Sequence, residues 1–313
     1  MENIRIQDDL YNFVNGEALE KLVIPDDKPT AGGFQDLADG VEKIMMDEFA
    51  AMTENKSYPN EHLERACTLY AIAKDAERKA AHGITPALKN LAIIDEIKTA
   101  EDFSRIFKTL MLRGIPTPFG VGVETDMKNT KRHLVYIQGA GVILPDASYY
   151  KPEMEAQKTQ ILGIWTNVAK AVMAQTDLSP EAQEQYVNDA LAFDEILGGL
   201  VKTREEWSKY VEMYNPMDTA RVAEMLSTVD FCAILCDLFG KVPETTVVTE
   251  PRFFENFAKV LNSENLELYK HWAYVTGLLG DCTYLSEELR ETGGMYMRAL
   301  TGVAKMQSIE KFA

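Results

Sequence analysis

Residues 37–52 read L-A-D-G-V-E-K-I-M-M-D-E-F-A-A-M, and the large apolar side chains in this stretch recur at intervals of three and four positions. Because an α-helix has 3.6 residues per turn, this spacing places those side chains on one face of a helix. The same period recurs in residues 161–172 and 268–279. The sequence therefore predicts a mainly α-helical protein.

Helix start signals support this prediction. The stretch 179–181, Ser-Pro-Glu, puts a capping hydroxyl before a proline in the first helical turn. Thr99 with Asp102, and Thr203 with Glu206, have the spacing of a capping box, in which the two residues bond each other's backbone N–H groups. We expect a helix to begin at each of these three points.

One stretch near the middle of the chain departs from the helical period. Phe119, Val121 and Val123 alternate with small or polar residues, a polar segment follows at 127–132, and residues 133–137 are again rich in apolar side chains. Alternation with a period of two is typical of a β-strand. The predicted fold class is thus mainly α, a multi-helix domain with a small inserted β-hairpin.

The charge balance limits the partners that the protein can have. The 313 residues include 32 Lys or Arg and 49 Asp or Glu, which gives a net charge of −17. Nucleic acids and anionic membrane surfaces attract cationic side chains, so we expect the protein to bind neither. The opening residues lack the pattern of a signal peptide and no apolar run is long enough to span a membrane, which predicts a cytoplasmic protein.

The four cysteines, Cys67, Cys232, Cys236 and Cys282, are too few and too scattered for a disulfide scaffold. Cys232 and Cys236 lie four residues apart in an apolar stretch. Buried thiols behave as small apolar side chains, so we expect both to be inert core residues.

The sequence offers no recognisable metal or catalytic site. No two of its four histidines are four residues apart, and no H-E-x-x-H occurs; they are His62, His82, His133 and His271. No phosphate-binding glycine loop and no G-x-S-x-G motif occurs either. Adjacent carboxylates such as those at 8–9, 26–27 and 287–288 are typical of solvated surfaces. We therefore assign no catalytic, metal-binding or substrate-binding residue from the residues alone.

Three stretches of this sequence match known motifs. Residues 8–19 read D-D-L-Y-N-F-V-N-G-E-A-L, residues 138–150 read Q-G-A-G-V-I-L-P-D-A-S-Y-Y, and residues 214–217 read Y-N-P-M. In this order they resemble the amino-terminal half of the neprilysin family of zinc metalloendopeptidases, in particular its bacterial oligopeptidase (PepO) branch. Ala18 stands where that family usually has tryptophan, which removes an aromatic anchor.

The resemblance implies a division of labour along the chain. Residues 1–33 would be a loop-rich segment that packs on a missing catalytic lobe, and residues 34–313 a helical lid that controls substrate access and is incomplete at its carboxyl end. The family's zinc ligands lie in an H-E-x-x-H helix and a later E-N-x-x-D helix, and the sequence contains neither. The start of such a motif at 255–256 has no zinc helix before it, so we regard it as coincidence.

The family resemblance also implies an activity for the whole enzyme. That enzyme would be a zinc-dependent neutral endopeptidase acting on short peptides, whereas this chain alone would bind no zinc and be inactive. In some animal members an arginine holds the substrate's terminal carboxylate, and His82 occupies that position here. A neutral imidazole cannot form the two-pronged contact of a guanidinium, so no substrate-binding role is transferred to it.

A different class of function stays open beside this one. The chain could be a stand-alone helical module that binds peptides or proteins without catalysis. If it is instead the lid of a larger enzyme, the surface that meets the catalytic lobe should expose an apolar patch.

Overall fold

The computed structural model describes residues 4–313, and within this range it contains sixteen α-helices and four β-strands. The helices are α1 (Leu10–Lys21), α2 (Gly33–Asn55), α3 (Glu61–Lys74), α4 (Ala76–His82), α5 (Thr85–Leu91), α6 (Ala100–Leu112), α7 (Glu155–Met173), α8 (Pro180–Gly198), α9 (Arg204–Trp207), α10 (Thr219–Met225), α11 (Phe231–Phe239), α12 (Pro251–Glu255), α13 (Phe257–Val260), α14 (Leu266–Asp281), α15 (Glu287–Thr301) and α16 (Ile309–Phe312). The strands are β1 (Phe119–Asp126), β2 (Asn129–Gly139), β3 (Asn215–Asp218) and β4 (Thr245–Val248). The mainly helical fold class is confirmed.

The chain forms two compact units. The first unit comprises the described part of residues 1–81 together with 294–313, and the second comprises residues 82–293. The boundary that we expected after residue 33 lies inside the first unit. Within the segment 1–33, which we expected to be loop-rich, Asp9 caps α1 by accepting the backbone N–H of Asn12.

The three predicted helix starts are present. Thr99 and Asp102 form a complete capping box at α6, and Thr203 and Glu206 form another at α9. The Ser179 hydroxyl accepts the third backbone N–H of α8. Each cap satisfies a backbone donor that a helix end would otherwise leave unpaired.

The predicted hairpin is part of a larger sheet with strand order β1-β2-β4-β3. Strands β1 and β2 are antiparallel, which confirms the hairpin, while β4 lies parallel to β2 and antiparallel to β3. The polar residues 129–132, which we assigned to the turn, instead begin β2. The turn is short because Asp126 is buried and its carboxylate accepts the backbone N–H of Lys128.

The core of the second unit is built around the ring of Phe119 on β1. This ring stacks on Phe107 of α6 with centroids 4.9 Å apart and meets Phe257 of α13 edge-on at 5.4 Å. All three side chains are fully buried. Such pairs add to the free energy gained from burying the rings, so β1 is fixed against the helices.

The expectation of two core thiols on α11 is wrong for Cys236, which is exposed, and Cys232 is half-buried. Helix α11 instead buries Phe231, Ile234 and Leu235. Because nearly every residue of this helix is apolar, its sequence does not indicate which side faces the core.

Residues near the carboxyl end complete the first unit. The carbonyl oxygen of Asp26 accepts the backbone N–H groups of Ala304 at 2.9 Å and Lys305 at 3.0 Å. Lys311 of α16 lies with its Nζ 2.9 Å from a carboxylate oxygen of Asp39 on α2. These contacts hold residues from both ends of the chain in one unit.

Helix α8 lies so close to the Tyr150 ring that only glycine fits at position 198. A Cβ atom at Gly198 would lie 2.3–2.5 Å from three carbons of that ring, so Gly198→Ala forces the ring or the helix to move. We expect the free energy of unfolding to fall by about 1–3 kcal/mol, measured by urea denaturation. The control Gly163→Ala in α7, where nothing lies within 4 Å of the new Cβ, should be neutral or stabilising by up to about 1 kcal/mol. Equal effects of the two variants would contradict this packing.

Candidate functional site

The described residues do not provide a metal site. Nowhere in residues 4–313 do three His, Cys, Asp or Glu side chains lie together in a way that could hold a metal ion. The histidines lie on α3, α4, β2 and α14, and His271 pairs its Nδ1 with Asp189 at 2.6 Å while stacking on Tyr186. The residues that the structure describes thus do not fit the zinc ion that the family resemblance implies.

Among the described helices, none combines the length and the apolar character needed to cross a lipid bilayer.

The motif at 138–150 is fastened to α8 by the buried carboxylate of Asp194. The backbone N–H of Ile143 donates to Asp194 Oδ1 at 2.9 Å, and the Tyr150 hydroxyl donates to Oδ2. From α14, Trp272 Nε1–H donates to Oδ1 at 3.3 Å. Asp194 is 1% exposed, so one carboxylate joins the motif loop, α8 and α14 inside the protein.

Burial dominates the acidity of this carboxylate. Desolvation raises the pKa of Asp194 to about 6, although the hydrogen bonds from Tyr150, Ile143 and Trp272 oppose that rise. The same burial, together with the neighbouring charge of Asp194, raises the pKa of the Tyr150 hydroxyl. Tyr150 therefore acts here as a hydrogen-bond donor and not as a base.

A second buried carboxylate, that of Glu250, joins the motif at 138–150 to the segment that follows α8. Glu250 is 2% exposed, and its two oxygens accept the backbone N–H groups of Gly139 at 2.6 Å and Lys202 at 2.8 Å. A Cβ at Gly139 would lie only 3.0 Å from Glu250 Oε2, so glycine permits this approach. Burial raises the pKa of Glu250, and the two N–H groups work against that rise.

Arg252, at the start of α12, fixes the segment that follows α8. Its guanidinium donates to the carbonyl oxygens of Leu200 at 3.1 Å and Val201 at 2.9 Å, and it pairs with Glu206 at 2.8 Å. Glu206 also bonds the backbone N–H of Thr203, so the ion pair and the helix cap share one carboxylate. The segment 200–206 is thereby held in one conformation.

The motif at 214–217 also holds neighbouring strands together. The Tyr214 hydroxyl donates to Asp126 Oδ1 at 2.7 Å, and Arg132 Nε donates to Oδ2 of the same carboxylate at 2.5 Å. These partners, with the Tyr214 hydroxyl first, hold the pKa of Asp126 at about 2. Asn215 Nδ2 bonds the carbonyl oxygen of Val248, which aligns β3 with β4.

These connections build a surface furrow on the second unit, which is the candidate functional site. It consists of two hollows of about 330 Å³ and 490 Å³ that meet at Ala147 and Val201. Trp207 and Glu250 line the smaller hollow, and Tyr150 lines the larger one. The sequence motifs identify the lining residues at 138–150 but not Glu250 and Arg252. A signal for Glu250 was present, because this acid lies between a short run of β-branched residues and a proline.

The first unit presents an apolar surface stripe on α2. Leu37, Val41 and Ile44, members of the series that predicts this helix, are 68%, 57% and 64% exposed. At the edge of the same apolar face, α2 contacts α3, where the rings of Phe49 and Tyr70 lie 5.5 Å apart. These exposed side chains are the apolar surface that a lid would present to a catalytic lobe, and their docking role stays a prediction.

Comparison with known proteins identifies relatives over nearly the whole chain. The amino-terminal sequence model of peptidase family M13 matches residues 6–313. A neutral endopeptidase of Lactococcus lactis subsp. cremoris is 33% identical over 308 residues, which are 98% of this chain and 49% of that protein.

Solved structures give the same result. The crystal structure of PepO from Lactobacillus rhamnosis superposes with a TM-score of 0.89 at 27% identity, over 99% of this chain and 49% of that one. The zinc metalloprotease Zmp1 of Mycobacterium tuberculosis, in complex with an inhibitor, superposes with a TM-score of 0.88 at 26% identity. The match covers 99% of this chain and 48% of that one. The chain thus spans about half the length of the relatives it matches.

The buried carboxylate of Asp194 predicts a pH dependence of stability. Its folded-state pKa of about 6 exceeds the unfolded value of about 3.9, so the folded state binds the proton more tightly. Protonated Asp194 therefore contributes about 3 kcal/mol to the free energy of unfolding. This contribution is fully present below pH 4 and is lost as the pH rises to about 6. Asp194→Asn removes that contribution, so wild type should lose stability relative to the variant across this window in urea denaturation. Parallel pH profiles of the two proteins would contradict the assignment.

Proposed function

We propose that this chain, which belongs to peptidase family M13, forms the amino-terminal half of a zinc-dependent neutral endopeptidase that hydrolyses short peptides. The observation that carries this proposal is the continuous match to about half of each relative, a neutral endopeptidase and two peptidase structures. No group of side chains within residues 4–313 fits a zinc ion. The zinc ligands and the general base would accordingly belong to the other half of the enzyme.

The proposed role of this half is to limit access to the catalytic cleft. A helical cover excludes large substrates and bulk water, which restricts hydrolysis to short peptides. The second unit suits this role because it has its own buried core and rigidly held loops. We also propose a cytoplasmic location, which the four free cysteines support, because thiols persist in reducing compartments.

The proposed partner of the α2 stripe is the catalytic half of the same enzyme. The stripe is apolar, and exposed acidic residues such as Asp36, Asp47 and Glu48 lie on the same helix. A complementary surface would carry apolar side chains with basic residues at its edge. Burial of Leu37, Val41 and Ile44 in such an interface would remove the exposed apolar area from water.

Zinc analysis and peptide hydrolysis test the proposed function. The purified chain should hold no stoichiometric zinc and cleave no fluorogenic peptide. Fusing it to the half of the L. lactis neutral endopeptidase that it does not match should restore chelator-sensitive cleavage. One zinc per chain with turnover by the chain alone would overturn the proposal. Peptide binding by the chain, with no activity in the fusion, would favour the stand-alone binding module.

The docking role of the stripe is tested by Val41→Lys combined with Ile44→Lys. Both side chains are exposed, so the isolated chain should change its free energy of unfolding by less than about 0.5 kcal/mol. In the fusion, burying two ammonium groups at the interface should lower kcat/KM by about tenfold or more.

The matched control for the stripe is Leu112→Lys, which alters an apolar side chain that is 79% exposed on α6. It should leave kcat/KM of the fusion within about twofold, as expected for a surface change outside the interface. An equal loss in both variants, or no loss in either, would contradict docking through α2.

A further inference from the structure

The sheet of the second unit has two edges, and they differ in how well they are protected from pairing with another strand. At one edge, β3 has only four residues and contains Pro216, which has no backbone N–H to offer a neighbouring strand. At the other edge, β1 has eight residues and contains neither proline nor lysine. Short length, proline and lysine are common devices that keep an edge strand from pairing with another chain. A bulge after Thr125 ends the regular pairing, so residues 119–125 form the open edge.

The register of the hairpin shows which backbone groups face this open edge. Ile137 of β2 lies opposite Val121 and turns its carbonyl oxygen away from β1, towards the backbone N–H of Thr249 at 3.1 Å. Residues directly opposite each other in an antiparallel pair alternate between exchanging backbone hydrogen bonds and exchanging none. Val121 therefore exchanges none with Ile137, and the same follows for residues two positions along. Val121, Val123 and Thr125 thus direct their N–H and C=O groups to the open side of β1.

The open side of β1 is accessible to solvent. Gly122, Glu124 and Thr125 are exposed, and the side chain of Val123 is 49% exposed. Among residues 4–313, no strand lies on this side of β1. The Thr125 carbonyl oxygen accepts the Tyr136 hydroxyl at 3.3 Å, which leaves its second lone pair for another donor. The edge therefore offers backbone donors and acceptors together with an uncovered apolar side chain.

We propose that β1 pairs antiparallel with β1 of a second copy of this chain, with the two copies of Val123 opposite each other. In this register Val121 lies opposite Thr125 of the other copy, so three pairs of residues can exchange about six backbone hydrogen bonds. β-Branched side chains then meet β-branched side chains, and Glu124 lies opposite Gly122. Moving the centre of pairing to Glu124 would place two carboxylates opposite each other, which is unfavourable. The sequence around Val123 is thus self-complementary.

The charge around β1 permits a second copy despite the net charge of −17. Residues 119–139, which form the hairpin, contain two acidic and three basic side chains, so the contact surface is close to neutral. An antiparallel pair of identical strands has two-fold symmetry, so the assembly closes after two copies. Strand pairing buries a small area, which predicts a weak dimer with a Kd of about 10–100 µM. The dimer does not rest on the proposed endopeptidase function, because it is measurable with this chain alone.

Sedimentation equilibrium of the purified chain tests the proposal. Over about 2–500 µM, which brackets the expected Kd, the average mass should rise from that of a monomer towards that of a dimer. Val123→Lys places two ammonium groups opposite each other at the centre and should raise the Kd at least about tenfold. Val123→Pro removes the central N–H, which points away from β2, and should raise the Kd similarly. The far-UV circular dichroism of both variants should match that of wild type.

The matched control is Val211→Lys, which makes the same substitution at a valine that is 89% exposed in the segment before β3. It should leave the Kd within about twofold, as expected for a surface change outside the contact. Val41→Lys combined with Ile44→Lys should also keep the dimer, because α2 takes no part in it. Equal losses in Val123→Lys and Val211→Lys would overturn the proposal. Loss of the dimer in the α2 variant would overturn it too, in favour of association through the α2 stripe.

Two further measurements distinguish strand pairing from other association. Amide hydrogen exchange at Val121 and Val123 should slow as the protein concentration rises, whereas exchange at Gly122, whose N–H bonds β2, should not change. Added NaCl should strengthen the dimer about two- to tenfold, because it screens the repulsion between copies of net charge −17. A chain that stays monomeric throughout the concentration range would contradict the proposal. Exchange at Val123 that is independent of concentration, or a dimer that NaCl weakens, would also contradict it.

Discussion

Two buried carboxylates hold together loops of the second unit that line the furrow. Glu250 receives backbone N–H groups from Gly139 and Lys202, and Asp194 receives donors from a loop, a turn and a helix. Removing a carboxylate from water is costly, and several converging donors offset that cost only in one arrangement of the chain. The loops are therefore fixed from inside the protein.

The two units differ in how much of their apolar surface they bury. In the second unit, aromatic rings from four elements surround Phe119 and leave a closed core. In the first unit, the apolar face of α2 contacts α3 at Phe49, whereas Leu37, Val41 and Ile44 on that face are exposed. An exposed apolar stripe of this length is typical of an interaction surface.

Much of the fold could be predicted from the sequence because local signals decide it. The period of residues 37–52, the capping boxes and the alternation after Phe119 each depend on nearby residues, and the corresponding elements are present. The sequence could not show that β4 pairs with β2, because four residues are too few for a period and the pairing spans more than a hundred positions. Likewise, Glu250 became a candidate only once folding brought it beside Gly139.

The bonds from Ala304 and Lys305 to the carbonyl oxygen of Asp26 set an order of events during synthesis. Residues 82–293 are synthesised before residues 304–305, which fasten the loop at Asp26. The second unit can thus begin to fold during synthesis. Until residues 304–305 are made, the apolar side chains of α1 and α2 stay exposed. Nascent chains in that interval are exposed to chaperones and to aggregation.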